Sequence, residues 1–312
     1  MGVTFFTDHI FTEYVTGNCN PNPGDLSMQN IRLTLQYDGT RYLGWQRPAK
    51  SGAQKSISHK ITEVLRKATG EAIMLRAGAK TEPGVHALAQ TVSFETESLL
   101  SAGEFRSLLN RYLPADIAVL DAAAAPERFR ADLNALSRTY EYRICCSRIY
   151  DVFRAKYEAH LCPGPDISAM EAAAGYLRGR HDFRAFSDAR KKAATEKEIT
   201  DISFCSLDGH LAIRIIADDF LSRMPRNIIG TLLDAGYHRL APEDIPGLFY
   251  GELPLRKPAV PGKQASPEQR TAPGKQTSPE ERAPGKQTGE LFTPKALLLT
   301  DIQYPQNISP TI

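Results

Sequence analysis

At 312 residues the chain has room for one large domain or two modest ones, each with a buried core. Hydrophobic residues make up 42% and charged residues 24%, ordinary for a soluble globular protein, and no apolar run reaches the ~20 residues of a membrane span. A net charge of +2 excludes nucleic-acid binding by bulk charge: seven Lys/Arg against four Glu between Leu255 and Glu290 leave about −1 for the rest.

The first 27 residues show little periodicity and end in the turn-rich "NCNPNPGDLS". They read as an N-terminal extension, either disordered or upstream of a functional start at Met28. The segment lacks a basic start followed by an apolar block, which argues against a secretion signal. Five cysteines (Cys19, Cys145, Cys146, Cys162 and Cys205) form no CxxC pair. That pattern predicts a reduced, cytoplasmic protein without a zinc site.

From Asn30, "NIRLTLQYDG" alternates Ile31, Leu33, Leu35 and Tyr37 with polar residues, predicting a half-buried strand stopped at Asp38-Gly39. "SISHKITEVLRKATG" places Ile57, Ile61, Val64 and Leu65 on one helical face, with Ser56 as N-cap and Gly70 as stop. Strands are predicted over 72–75 and 91–95, a helix near 103–112 and a strand near 116–121. "RTYEYRICC" opens a second unit. It continues with a helix over 168–177, strands near 199–206 and 210–217, a helix from Met224 to Tyr237 and a last strand near 296–304. The irregular alternation in two similar halves predicts an α+β fold with mixed or antiparallel sheets, divided into subdomains 28–135 and 136–309. Within the second, residues 256–290 carry imperfect copies of "APGKQTSPEER" and bury no core. They read as a disordered insert, or alternatively as an electrostatic RNA-tethering arm.

Chemistry concentrates in two places. "YDGTRYLGWQR", residues 37–47, offers Tyr37, Arg41, Trp45 and Arg47. Aromatic and guanidinium planes stack on bases, so the segment is either an RNA contact or a turn with Tyr42 and Trp45 in the core. "AGAKTEPGVHALAQ", residues 77–90, crowds Lys80, Thr81, Glu82 and His86 around Pro83-Gly84. Alone, it is a turn with a solvated glutamate, and His86 organises the loop. Metal binding is not expected, because His86, His181 and His210 are scattered without ligand spacing.

Taken together, "YDGTRYLGWQR", "AGAKTEPGVHALAQ", "SRTYEYR", "GRHDFRAF" and "FLSRMPRNIIGTLLDAG" resemble, in order and spacing, the tRNA pseudouridine synthase A family. "LPADIAV" and "ALLLTDIQYP" fit the same pattern. The resemblance implies the pseudouridine synthase fold, with two similar α/β subdomains flanking a central cleft. It implies isomerisation of uridine to pseudouridine in the anticodon arm of tRNA (positions 38–40), without cofactor or metal, by a homodimer. Carried over residue by residue, the family's catalytic aspartate is Glu82. Its carboxylate-pairing arginine is Arg226, and its base-stacking tyrosine is Tyr140. Substrate contacts are implied for Tyr37, Arg41, Trp45, Arg47, Lys80, Thr81, His86, Arg138 and Phe183.

The chain departs from that pattern near the site. Glu82 stands for Asp, Lys80 for Arg, Ala79 for Gly and Pro83 for a small residue; Pro225, Asp132 and Lys197 also differ. Glutamate keeps the carboxylate but adds a methylene, and a misplacement of about 1 Å costs ~100-fold in rate. Two readings stay open at this point: an active synthase working through Glu82, or an inactive RNA-binding relative that keeps the fold.

Overall fold

The computed structural model describes residues 28–47, 52–149, 151–188, 194–255 and 292–305. The predicted extension 1–27 and the repeats over 256–290 lie outside the described residues. The described residues divide into two units, those up to 135 together with those from 302 on, and those from 136 to 301.

The first unit is built on β1 (Gln29–Tyr37), β2 (Arg76–Ala77), β3 (His86–Thr96) and β4 (Ile117–Ala125), with helices α1 (Ile57–Thr69) and α2 (Ala102–Tyr112). β1 lies between β3 and β4, antiparallel to both, with Leu33 opposite Val92 on one side and Ala122 on the other. Ile31, Leu33, Leu35 and Phe94 on the strands and Ile61, Leu65, Phe105 and Leu109 on the helices are fully buried. Phe94 and Phe105 meet edge to face at 5.3 Å. The helix ends follow the sequence: Gly70 caps α1 in the left-handed region at φ +76°, and Ser101 with Glu104 forms a reciprocal capping box on α2. Ser56 is the N-cap residue of α1, but its hydroxyl donates back to the Ala53 carbonyl at 2.6 Å.

Two boundaries differ from expectation. The strand expected over 72–75 is instead the short β2 at Arg76–Ala77, because pairing with Val92 and Ser93 sets its register. β3 begins at His86. The strand expected from residue 91 therefore starts five residues earlier and reaches back into the polar loop.

The second unit contains β5 (Ser137–Cys145), β6 (Ala159–His160), α3 (Ile167–Leu177), β7 (Gly179–Asp182), β8 (Glu196–Leu207), β9 (His210–Ala217), α4 (Met224–Gly236), α5 (Ile245–Tyr250) and most of β10 (Leu297–Gln303). β5, β9, β8 and β7 run antiparallel in that order, and β6 adds to β5 in parallel. Every residue of α4 is buried, so no polar face interrupts it and periodicity alone did not mark its sides. Pro225 sits in the first turn of α4, where a missing N–H costs nothing. The second subdomain was expected to run on to residue 309, yet the chain rejoins the first unit at Ile302. Tyr304 ties it there, donating to the Ala131 carbonyl at 2.8 Å and packing on Phe129. Among the described residues no helix is long and apolar enough to cross a membrane.

Candidate active site

In the first unit the polar loop between β2 and β3 is held as a rigid shelf. Its tip is a type II turn. Pro83 presets φ at the second position, Gly84 supplies φ +78° at the third, and the Val85 N–H closes the turn on the Glu82 carbonyl at 3.2 Å. On one flank the backbone of residues 39–45 lies directly against the loop. Trp45 N–H donates to the Thr81 carbonyl at 3.0 Å, and Gly84 N–H to the Tyr42 carbonyl at 3.3 Å. Both glycines of "YDGTRYLGW" are explained by this approach. A Cβ at Gly39 would meet the Val85 carbonyl oxygen at 2.0 Å, and one at Gly44 would meet the Thr81 oxygen at 2.6 Å.

The other flank is fixed by side chains. Gln90, fully buried on β3, accepts from Ala79 N–H at 3.2 Å and donates to the Ala79 carbonyl at 2.7 Å. Tyr37 and Thr81 share a hydroxyl–hydroxyl bond of 2.8 Å. Burial raises the Tyr37 phenol well above its ordinary value, against the smaller opposing effect of its bonds to Thr81 and Gln90. Tyr37 is therefore a neutral strut. His86, 2% exposed, accepts the Gly39 N–H on Nδ1 at 3.0 Å. Asp38 Oδ1 lies 3.2 Å from the same nitrogen. The half-buried Glu82 is thus presented by a loop whose neighbours Ala79, Thr81, Gly84 and Val85 are all bonded.

In the second unit the guanidinium of Arg226 stands over the Phe292 ring at 4.9 Å, and that ring stacks on Tyr142 at 5.3 Å. Tyr142 is locked in turn, its hydroxyl accepting from Thr293 N–H at 3.0 Å. Arg226 is 4% exposed and sits in the first turn of α4, where the helix dipole opposes a cation. A buried cation at the wrong end of a helix is a local conflict of the kind functional sites retain. Tyr140 lies two residues before Tyr142 on β5 and meets Phe220 edge to face at 5.1 Å. Arg138 donates to the Asp218 carbonyl and lies 3.5 Å from Asp219, which also binds Lys197 at 2.8 Å.

The sequence matches the family model described as tRNA pseudouridine synthase over residues 34–132 and 173–271, well over half the chain. The chain belongs to the tRNA pseudouridine synthase family. Individual relatives agree. It is 35% identical over 223 residues to "tRNA pseudouridine synthase A 2" of Bacillus cereus, covering 71% of this chain and 90% of that one. To "tRNA pseudouridine synthase A" of Caldicellulosiruptor bescii it is 38% identical over 220 residues, covering 70% and 89%. The Moorella thermoacetica protein of the same name is 37% identical over 224 residues, covering 71% and 90%. The synthase-family match includes the Glu82 loop and Arg226, whereas Arg138 and Tyr140 fall between its two segments.

Against this family frame the aromatic segment resolves in part. Trp45 is 1% and Tyr37 3% exposed, and Tyr42 is buried as well, so these rings form core beneath the loop. The reading of Trp45 and Tyr37 as open stacking platforms is not what the structure shows, because the loop backbone covers that side. Arg41 is instead exposed and paired with Asp116 at 2.6 Å, and Arg47 donates to the Leu43 carbonyl at 2.9 Å. Lys80 is exposed beside Glu82 in the chain. Phe183 is fully buried in a cluster with Phe186 and Phe249. Asp132, one of the departures, pairs with Arg130 at 2.8 Å. Burial pushes its carboxyl up, but that arginine's hydrogen bond and charge prevail and hold it low. Two residues escaped the sequence reading. Gln90 carries no role in the sequence motifs, although a glutamine amid apolar strand residues marks a buried bond. Phe292 had no local signal at all.

Proposed function

We propose that this synthase-family chain is an active isomerase that converts uridine to pseudouridine in tRNA, with Glu82 as its catalytic carboxylate. The observation that carries the reading is the loop itself. A glutamate presented only as solvated surface has no use for a type II turn, a buried Gln90 clamp and two glycines pressed against it. Preorganisation of that kind is what fixes a reacting group. The target is the anticodon arm, the enzyme works as a cytoplasmic homodimer, and Tyr140 stacks on the flipped uracil. Arg226, matched to the family's arginine, is the further residue assigned to catalysis.

The reaction needs no redox partner. The N1–C1′ glycosidic bond breaks, the uracil turns, C5 bonds to C1′, and the C5 proton is transferred to N1 by way of a base and solvent. Extruding the uridine from its stack costs a few kcal/mol. Glu82 acts at the sugar, either on C1′ or on a ribose proton. The extra methylene of glutamate is accommodated by the Pro83 turn, which sets where the side chain leaves the loop.

The deciding experiment incubates the full chain with unmodified tRNA and maps pseudouridine chemically at single-nucleotide resolution. Wild type forms pseudouridine and Glu82→Gln does not. A wild type that binds tRNA but leaves it unmodified overturns the proposal in favour of a binding protein. Activity that appears only in Glu82→Asp shows that reach, not the fold, was lost.

A further inference from the structure

Away from the proposed catalytic groups, the second unit gathers one mixed cluster of metal-ligating side chains. Cys145, Glu158 and His210 each offer a ligand atom, all within 4.8 Å of one another, and no other such group occurs among the described residues. Sheet register makes the cluster. Cys145 ends β5 directly opposite His210, the first residue of β9, and cross-strand partners share a face. On the other side of β5, Cys145 pairs with His160 of β6, and Glu158 lies at the bend that enters β6. Cys145 is five residues from Tyr140 along β5, about 17 Å at the rise of a strand.

We propose that these three side chains bind a zinc ion. Thiolate, imidazole and carboxylate together suit zinc and exclude calcium and magnesium, which take oxygen ligands. His210 Nδ1 is 3.0 Å from Glu158 Oε2, close to the ~3.3 Å separating two light-atom ligands on a tetrahedral zinc. The Glu158 side chain is 8% exposed, and its other oxygen lies 3.9 Å from Arg154, which orients the carboxylate from outside the ligand set. Binding releases the thiol proton of Cys145 and places the ring hydrogen of His210 on Nε2. A solvent molecule completes the four-coordinate shell. The ion joins β5, β9 and the segment entering β6, and the expectation of no metal site from sequence spacing is revised accordingly.

The test uses the full chain, stripped with EDTA and dialysed. Titration with zinc against a chromophoric chelator is expected to show one bound equivalent, and cobalt is expected to give a thiolate-to-cobalt charge-transfer band. Cys145→Ser, Glu158→Gln and His210→Ala each lose the equivalent and the band, whereas Cys146→Ser keeps both. His210 is partly exposed at a strand end, so His210→Ala keeps its far-ultraviolet circular dichroism and serves if Cys145→Ser fails to fold. Wild type is also expected to melt at a higher temperature with zinc than with magnesium, a readout that needs no variant. Zinc uptake no greater than that of His210→Ala, or a cobalt band that survives Cys145→Ser, overturns the proposal.

Discussion

Gly44, at φ +90°, lies so close to Thr81 that an added Cβ would stand 2.6 Å from the Thr81 carbonyl oxygen, and the next residue, Trp45, donates to that same oxygen at 3.0 Å. The Glu82 loop is thus positioned by a backbone-to-backbone contact that only glycine permits. Gly44→Ala meets both a forbidden φ and a backbone clash. It is expected to cost about 1–3 kcal/mol in stability. Because the loop must shift to relieve the clash, pseudouridine formation is expected to fall by ~100-fold. Denaturant unfolding and a rate measurement on the folded fraction separate the two effects.

Gln90 bonds both the N–H and the carbonyl of Ala79. Gln90→Ala leaves two backbone groups without their partner, at a cost of about 1–3 kcal/mol. The loop amides from Ala79 to Val85 are expected to exchange hydrogen faster than in wild type. A positioning role further requires that kcat falls while KM for tRNA changes little. Unchanged kcat in a folded variant refutes it.

The Arg226 guanidinium stands 4.9 Å over the Phe292 ring, which stacks on Tyr142. Arg226→Lys keeps the charge but loses the planar fork and its stacking surface. The expected result is a fall of roughly tenfold or more in kcat, equivalent to ~1.4 kcal/mol of transition-state stabilisation, with tRNA affinity preserved. Phe292→Leu, which removes the ring beneath the guanidinium, is expected to move kcat in the same direction. Binding assays alongside single-turnover rates decide the point.

Tyr142 gives a pH prediction with a definite sign. Burial raises its phenol far above the ordinary value, outweighing the opposing effects of the Thr293 N–H and of Arg226. The folded state therefore holds the proton at pH values where the unfolded chain, with a tyrosine pKa of about 10, has lost it. Stability is fully present below pH ~10 and falls as pH rises through the unfolded value toward the folded one. Tyr142→Phe removes this group's contribution. It also loses the bond from Thr293, so the variant is less stable at neutral pH while its stability declines less steeply above pH ~10. Denaturant titrations from pH 8 to 11 measure both.

The amino-acid sequence was enough for the elements whose signal is local. The alternation of Ile31, Leu33 and Leu35 announced β1, the apolar face closed by Gly70 announced α1, and Pro83-Gly84 announced the turn. Family motifs then singled out Glu82 and Arg226 because their spacing along the chain is itself the signal. What the sequence could not supply were contacts made across large separations. Nothing near Gln90 says that it clasps Ala79, and nothing near Phe292 says that it will lie under Arg226. Whether Trp45 faces solvent or core depends on a loop more than thirty residues away. The same holds for Cys145, Glu158 and His210, which share no motif and meet only because the pairing of β5, β6 and β9 brings them together. Periodicity and turn chemistry act over a few residues, and so a sequence reveals them directly. Register, burial and backbone approach arise when distant segments pack, and here the tertiary structure decided them.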